Sequence, residues 1–118
     1  MSAYLIFTRE RTIDQAEMDI YSSLAPATAA SHPIDVLANY GRFEVLEGDP
    51  IEGSFVMRFP TYAAAKTFYN SHDYQAVAVH RHAGSDYRVF IVEGGRLISL
   101  AVEVPLRPPV PPDPETSS

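Results

Sequence analysis

Residues 59–94 constrain the fold of this chain more than any other stretch, because strand, helix, helix and strand signals follow one another there. Apolar residues alternate with other residues up to Phe59, which predicts a strand with two usable faces. Thr61 and Ser71 each stand where a hydroxyl can cap a helix. Gly84 is typical of a helix end, and residues 87–93 favour a further strand.

The first part of the chain predicts a strand and a helix. Residues 3–8 form a short apolar run with aromatic and β-branched members. Thr12 and Gln15 have the spacing of a capping box, so Thr12 is the predicted start of a helix. Pro26 is predicted to kink this helix or to end its first part.

A second strand is predicted over residues 34–47, with a bulge or bend at Gly41. The turn signal at residues 48–50 precedes the strand that ends at Phe59. A turn of about five residues between two such runs favours an antiparallel hairpin.

The predicted order is therefore β-α-β-β-α-β, followed by one extra strand over residues 97–104. This is the ferredoxin-like split βαβ arrangement of an α+β protein. We expect one domain over residues 1–104. The proline-rich residues 105–118 are expected to form an extended tail outside the core.

Composition excludes several classes of function. The formal net charge of −6 disfavours binding to nucleic acid or to an anionic membrane. The chain has no cysteine, which excludes disulfides, thiolate nucleophiles and cysteine metal sites. Residues 1–7 lack the basic and long apolar segments of a signal peptide or a membrane span, so we expect a cytoplasmic protein.

Four segments together resemble the DUF1330 family of the dimeric α/β-barrel superfamily. They read FPTYAAAKTFYNSHDYQ, VFIVEG, AYLIF and VLEGD, and the resemblance covers residues 3–94. It implies a homodimer in which two four-stranded sheets pack into a barrel, with a ligand cavity between sheet and helices. The segment after Gly94 is longer than is usual in the family, and we expect its extra strand at a sheet edge.

The second strand departs from the family pattern. Relatives commonly carry an arginine before paired glycines, whereas here Asn39 stands in the arginine's place and only Gly41 of the pair remains. If that arginine binds a ligand in relatives, the ligand of this chain differs. Asn39, Tyr40 and Arg42 are therefore candidate ligand-binding residues.

The histidines are the candidate catalytic bases. His80 and His82 flank Arg81 near the end of the second predicted helix, and His32 lies in a loop. Residues two apart on a helix point in different directions, so His80 and His82 do not form a metal pair. The alternative role for these two is a cationic helix end that complements the dipole. A side chain exposed to solvent is the alternative for His32.

Arg81 matches a basic position common in the family and is the candidate for holding an anion or a carboxylate. An ion pair at the surface of the dimer is the alternative for Arg81. Packing in the core or interface is the alternative for Tyr40.

The function predicted from these features is cofactor-free acid/base chemistry on a small apolar or aromatic molecule. One of the histidines would act as base while Arg81 or Tyr40 positions an oxygen atom. A non-catalytic dimeric module for ligand binding or structure is the alternative. The superfamily also contains haem-handling proteins, but no sequence feature favours that role, and no metal or cofactor is expected.

Overall fold

The computed structural model describes residues 1–95, which form four strands and three helices. The elements are β1 (Ala3–Thr12), α1 (Gln15–Ala29), β2 (Asp35–Asn39), β3 (Gly53–Phe59), α2 (Tyr62–Tyr69), α3 (His72–Gly84) and β4 (Ser85–Glu93). The extra strand predicted over 97–104 and the tail predicted over 105–118 lie outside the described residues. Within residues 1–95, no helix has both the length and the apolar character needed to cross a bilayer.

The strands form one sheet in the order β2-β3-β1-β4, and every neighbouring pair is antiparallel. In the centre of the sheet, Leu5 of β1 pairs with Met57 on one side and with Ile91 on the other. The predicted α+β ferredoxin-like fold is confirmed by this order of elements and strands.

The core lies on the face of the sheet that is covered by the helices. Alternate residues of β1 and β3 point into it, because successive side chains of a strand face opposite sides. Each large apolar side chain buried there contributes about 1.5–3 kcal/mol relative to exposure. The buried cluster consists of Ala3, Leu5, Phe7, Met57, Phe59, Ala65, Phe68, Tyr74 and Ala78.

A β-bulge interrupts β1 where it pairs with β4. Arg9 lies opposite Tyr87, but the next paired residue of β1 is Arg11, which lies opposite Asp86. Glu10 is thus the additional residue of the bulge. Beyond it the ladder continues to the pair of Thr12 and Ser85, so β1 is four residues longer than predicted.

The prediction that Thr12 caps α1 is wrong. Asp14 is the N-cap, and its carboxylate accepts hydrogen bonds from the backbone N–H groups of Ala16 and Glu17. Thr12 remains in the strand, where its N–H and hydroxyl both donate to the Glu52 carboxylate. The predicted caps of the other helices are confirmed, since the Thr61 and Ser71 hydroxyls accept from backbone N–H groups of α2 and α3.

Pro26 does not end α1, which runs on to Ala29. The N–H that a proline lacks would have bonded to the carbonyl of Ser22, four residues earlier. Ser22 and Pro26 are both exposed, so water can satisfy that carbonyl.

The second strand is much shorter than predicted. It ends at Asn39 instead of residue 47, because Tyr40 adopts a positive φ of 51° that turns the chain away from the extended path. The backbone N–H of Tyr40 donates to the Ser54 carbonyl, after which residues 41–50 run along the surface.

Candidate functional site

A cleft lies where the end of α3 meets the start of β4, on the helix side of the sheet. Its volume is about 390 Å³, within the range of small-molecule sites. Because β4 begins at the residue after α3, the last turn of the helix and the first strand residues face the same space. The lining consists of Tyr69, Arg81, His82, Ser85, Asp86, Tyr87 and Val89.

Arg81 forms the buried wall of this cleft, with only 3% of its surface exposed. Its Nε–H donates to the Tyr74 hydroxyl at 3.3 Å. The guanidinium carbon lies 5.5 Å from the ring centre of Phe7 and 5.2 Å from that of Tyr87, within cation–π range of both. These contacts fix the orientation of the guanidinium without neutralising its charge.

Neutral phenols surround the buried guanidinium. The hydroxyls of Tyr74 and Tyr21 lie 2.8 Å apart. Burial raises the pKa of Tyr74, and burial together with Tyr74 raises the pKa of Tyr21, so both phenols stay protonated. Burial alone lowers the pKa of Arg81, but Tyr74 and the other tyrosines outweigh it, and the guanidinium remains charged.

Two residues that line the cleft each carry a buried polar atom without a hydrogen-bond partner among residues 1–95. These atoms are Nη2 of Arg81 and Oγ of Ser85, a residue with 5% exposure. Buried polar side-chain atoms are partnered in the large majority of cases. Leaving one such atom unpaired costs about 1–3 kcal/mol. The two unpaired atoms therefore lower the stability of the ligand-free protein.

Tyr87 closes one side of the cleft and is held by two residues behind it. Its hydroxyl accepts from Nε of Arg9 at 2.8 Å and lies 2.7 Å from the Tyr40 hydroxyl. The Arg9 guanidinium also stacks over the Tyr40 ring at 4.9 Å. Tyr40 therefore reaches the cleft only through Tyr87.

His82 lines the cleft beside Arg81 and is exposed to solvent. Partial burial, and secondarily the charge of Arg81, lower the pKa of His82 from its ordinary value of 6.5. The imidazole is therefore mostly neutral at pH 7 and can accept a proton.

The other candidate residues lie elsewhere. His80 faces α1, where its Nδ1 lies 2.6 Å from the Glu17 carboxylate. His32 makes an edge-to-face contact with Phe68, with ring centres 5.1 Å apart, and lines a separate surface cleft of about 550 Å³. Asn39 and Arg42 are exposed at the end of β2 and just beyond it. Of the predicted site residues, the structure thus brings together Arg81 and His82.

Sequence reasoning missed Tyr74 and Ser85. The sequence does contain a signal for Tyr74, because Tyr74, Ala78 and Arg81 follow the i, i+4, i+7 spacing of one helix face. An arginine on an otherwise buried face indicates a charge that needs a partner. The sequence offered no comparable signal for Ser85.

The opposite face of the sheet carries an apolar row across all four strands. Ala38, Val56, Ile6 and Phe90 are cross-strand neighbours in this row. Phe90 and the nearby Val92 are 44% and 45% exposed. None of the described helices covers this face.

Comparison with known proteins gives a family match. The model of a domain of unknown function, DUF1330, matches residues 2–95. No curated protein sequence matches the chain.

Several solved structures share the fold. A protein of unknown function from Rhodopseudomonas palustris is 17% identical with a TM-score of 0.61, over 80% of this chain and 83% of that one. A dimeric protein of unknown function and ferredoxin-like fold from Bacteroides fragilis is 12% identical with a TM-score of 0.56, over 78% and 95%. SnoaB, a cofactor-independent oxygenase from Streptomyces nogalater, is 12% identical with a TM-score of 0.53, over 83% and 97%. At these identities the likeness shows the fold alone.

Proposed function

The chain belongs to the DUF1330 family, a family of unknown function, and on that premise we propose that it binds a small aromatic or apolar molecule in the cleft at Arg81. We further propose that it acts on this molecule by acid/base chemistry without a cofactor. The observation that carries the proposal is the buried Arg81 guanidinium, whose Nη2 has no partner among residues 1–95 and which lines the same cleft as a neutral histidine.

The proposed roles follow from the chemistry of the two side chains. Arg81 holds an oxygen atom of the ligand, and its fixed charge stabilises negative charge that develops there. His82, being neutral, accepts a proton from a nearby C–H or O–H group. Tyr69, Tyr87 and Val89 also line the cleft, and the proposed ring would lie beside them. SnoaB from S. nogalater, which has a similar fold, is a cofactor-independent oxygenase, so this fold is compatible with catalysis without a cofactor.

Deuterium exchange into β-tetralone tests the catalytic part. In this aromatic ketone, loss of a proton beside the carbonyl places negative charge on the oxygen. Neutral His82 would take that proton, Arg81 would hold the enolate oxygen, and a deuteron from solvent would return to the carbon. The measurement is the rate at which the proton signal disappears in deuterium oxide, followed by NMR with and without the protein.

His82→Gln is the test variant and His80→Gln is its matched control. Both change a histidine of α3, but only His82 lines the cleft. We expect faster exchange with the wild type and with His80→Gln, and the uncatalysed rate with His82→Gln. If the wild type binds β-tetralone saturably but does not accelerate its deuterium exchange, the result would instead support a non-catalytic binding module. Absence of binding would contradict the proposal as a whole.

We also propose that two copies associate through the apolar sheet face. The apolar row of Ala38, Val56, Ile6 and Phe90 spans all four strands. An exposed apolar patch of this kind is typical of an interaction surface. The B. fragilis protein of the same fold is dimeric. Sedimentation should give a dimer for the wild type and for Val79→Asp, which alters an exposed apolar residue of α3. Phe90→Asp should give a monomer, and an unchanged mass would refute this interface.

A further inference from the structure

The two buried atoms that have no partner among residues 1–95 differ in what they offer a ligand. Nη2 of Arg81 donates N–H groups and carries positive charge, whereas Oγ of Ser85 donates one O–H and also accepts. Both residues line the same cleft, four positions apart along the chain. A ligand group that satisfied both atoms at once would need two acceptor oxygens or one oxygen shared between them.

The charge of Arg81 is not matched by a carboxylate of the described chain. The ion pairs of residues 1–95 are Arg11 with Asp86, Arg58 with Asp35, His80 with Glu17 and Arg88 with Glu10. Asp86 does line the cleft, but its carboxylate is held by Arg11 at 2.8 Å. A buried cation without an anionic partner is unusual in a folded protein.

The surroundings favour a ligand with one negative charge over a ligand with two. The cleft lies at the C-terminal end of α3, where the helix dipole is negative. This dipole disfavours a doubly charged phosphate, and the lining residues in the described part of the chain include no lysine to offset it.

We infer that the ligand is an aromatic monocarboxylate, whose carboxylate bridges Arg81 and Ser85. One carboxylate oxygen accepts from Nη2 of Arg81 and the other accepts from the Ser85 hydroxyl. The attached ring lies against Tyr69, Tyr87 and Val89. This inference rests on the proposed function, and it makes Arg81 the anchor of the ligand and Ser85 a specificity-determining residue.

Naphthoate and its uncharged amide, naphthamide, are the probes that test this inference. They share shape and ring system, so a difference in affinity reports on the charge. Titration calorimetry on the full chain should give a dissociation constant at least about tenfold lower for naphthoate, because a hydrogen bond to a charged group is worth more than a neutral one. Inorganic phosphate should not displace naphthoate.

Ser85→Ala separates ligand recognition from folding. It should weaken naphthoate binding about tenfold and leave naphthamide binding nearly unchanged. Its melting temperature should not fall, because the substitution removes a buried hydroxyl that has no partner in the described chain. Arg81→Lys, which keeps the charge and loses the planar fork, should also weaken naphthoate.

Equal affinity for the two probes, stronger binding of phosphate, or a Ser85→Ala variant that keeps the full preference for naphthoate would overturn the inference. The β-tetralone experiment distinguishes this failure from that of the proposed function. If β-tetralone binds and exchanges while naphthoate shows no preference, the site stands and the carboxylate is wrong. If neither compound binds, both are wrong.

Discussion

Replacing Tyr74 with phenylalanine removes one oxygen atom from the centre of the network that orients Arg81. Tyr74 is 2% exposed, and its hydroxyl contacts both the Tyr21 hydroxyl and Nε of Arg81. The ring and its packing remain, so the change isolates the two hydrogen bonds. Arg81 Nε and Tyr21 Oη are then left without their partner.

The expected loss follows from these two contacts. A buried polar group without a partner costs about 1–3 kcal/mol, and a charged one costs more. The hydrogen bond to Arg81 is long at 3.3 Å, so its loss is expected to cost an amount near the lower end of this range. The 2.8 Å hydrogen bond between the two tyrosine hydroxyls is of ordinary strength. We expect Tyr74→Phe to lower the free energy of unfolding by about 2–4 kcal/mol, and the melting temperature by at least about 8 °C.

Tyr69→Phe is the matched control. Its ring packs against Tyr74 with centres 5.6 Å apart, but its hydroxyl makes no hydrogen bond to residues 1–95. The free energy of unfolding of the Tyr69→Phe variant should stay within about 0.5 kcal/mol of the wild-type value. The assay is urea unfolding followed by circular dichroism, at one protein concentration because association changes apparent stability. Equal losses in the two variants would refute the reasoning that Tyr74 acts through its hydroxyl.

Two further predictions concern the same end of the molecule. The pKa of His82 should lie below 6.5 and rise toward that value in Arg81→Met, as an NMR titration would show. Because folding lowers this pKa, the stability linked to it is present above pH 6.5 and is lost as the pH falls through the lowered value. Gly84→Ala should destabilise the fold by about 1–3 kcal/mol, because its Cβ would lie 2.8 Å from Sδ of Met18. Gly41→Ala, whose Cβ meets nothing within 4 Å, should show no such loss in urea unfolding.

The order of strands and helices was predictable from the sequence because the signals involved are local. The hydroxyls of Thr61 and Ser71 bond to N–H groups only three residues away, so short patterns suffice to place α2 and α3. Thr12 has a similar local pattern, yet it bonds to Glu52, forty residues along the chain. A distant partner outweighed the local cap there, and no short window contains that information.

The same distinction applies to the candidate site. His80 and His82 are two residues apart on α3, so helix geometry already predicts that they point in different directions. It does not show which of the two lines the cleft. The pairing of Tyr74 with Tyr21 joins α3 to α1 and depends on how those helices pack. The contact of Tyr40 with Tyr87 likewise needs the positive φ at Tyr40, which the alternating pattern of residues 34–47 does not indicate.

The bulge at Glu10 changes the phase of β1. Before it, odd-numbered residues face the helices. After it, Arg11 pairs with Asp86, so the odd-numbered position has moved to the other side of the sheet. Deleting Glu10 would bring Arg11 opposite Asp86 in an unbroken ladder and leave Arg9 opposite Tyr87. A relative one residue shorter at this point can therefore keep both arginine contacts, and an alignment of the family should place its gap there.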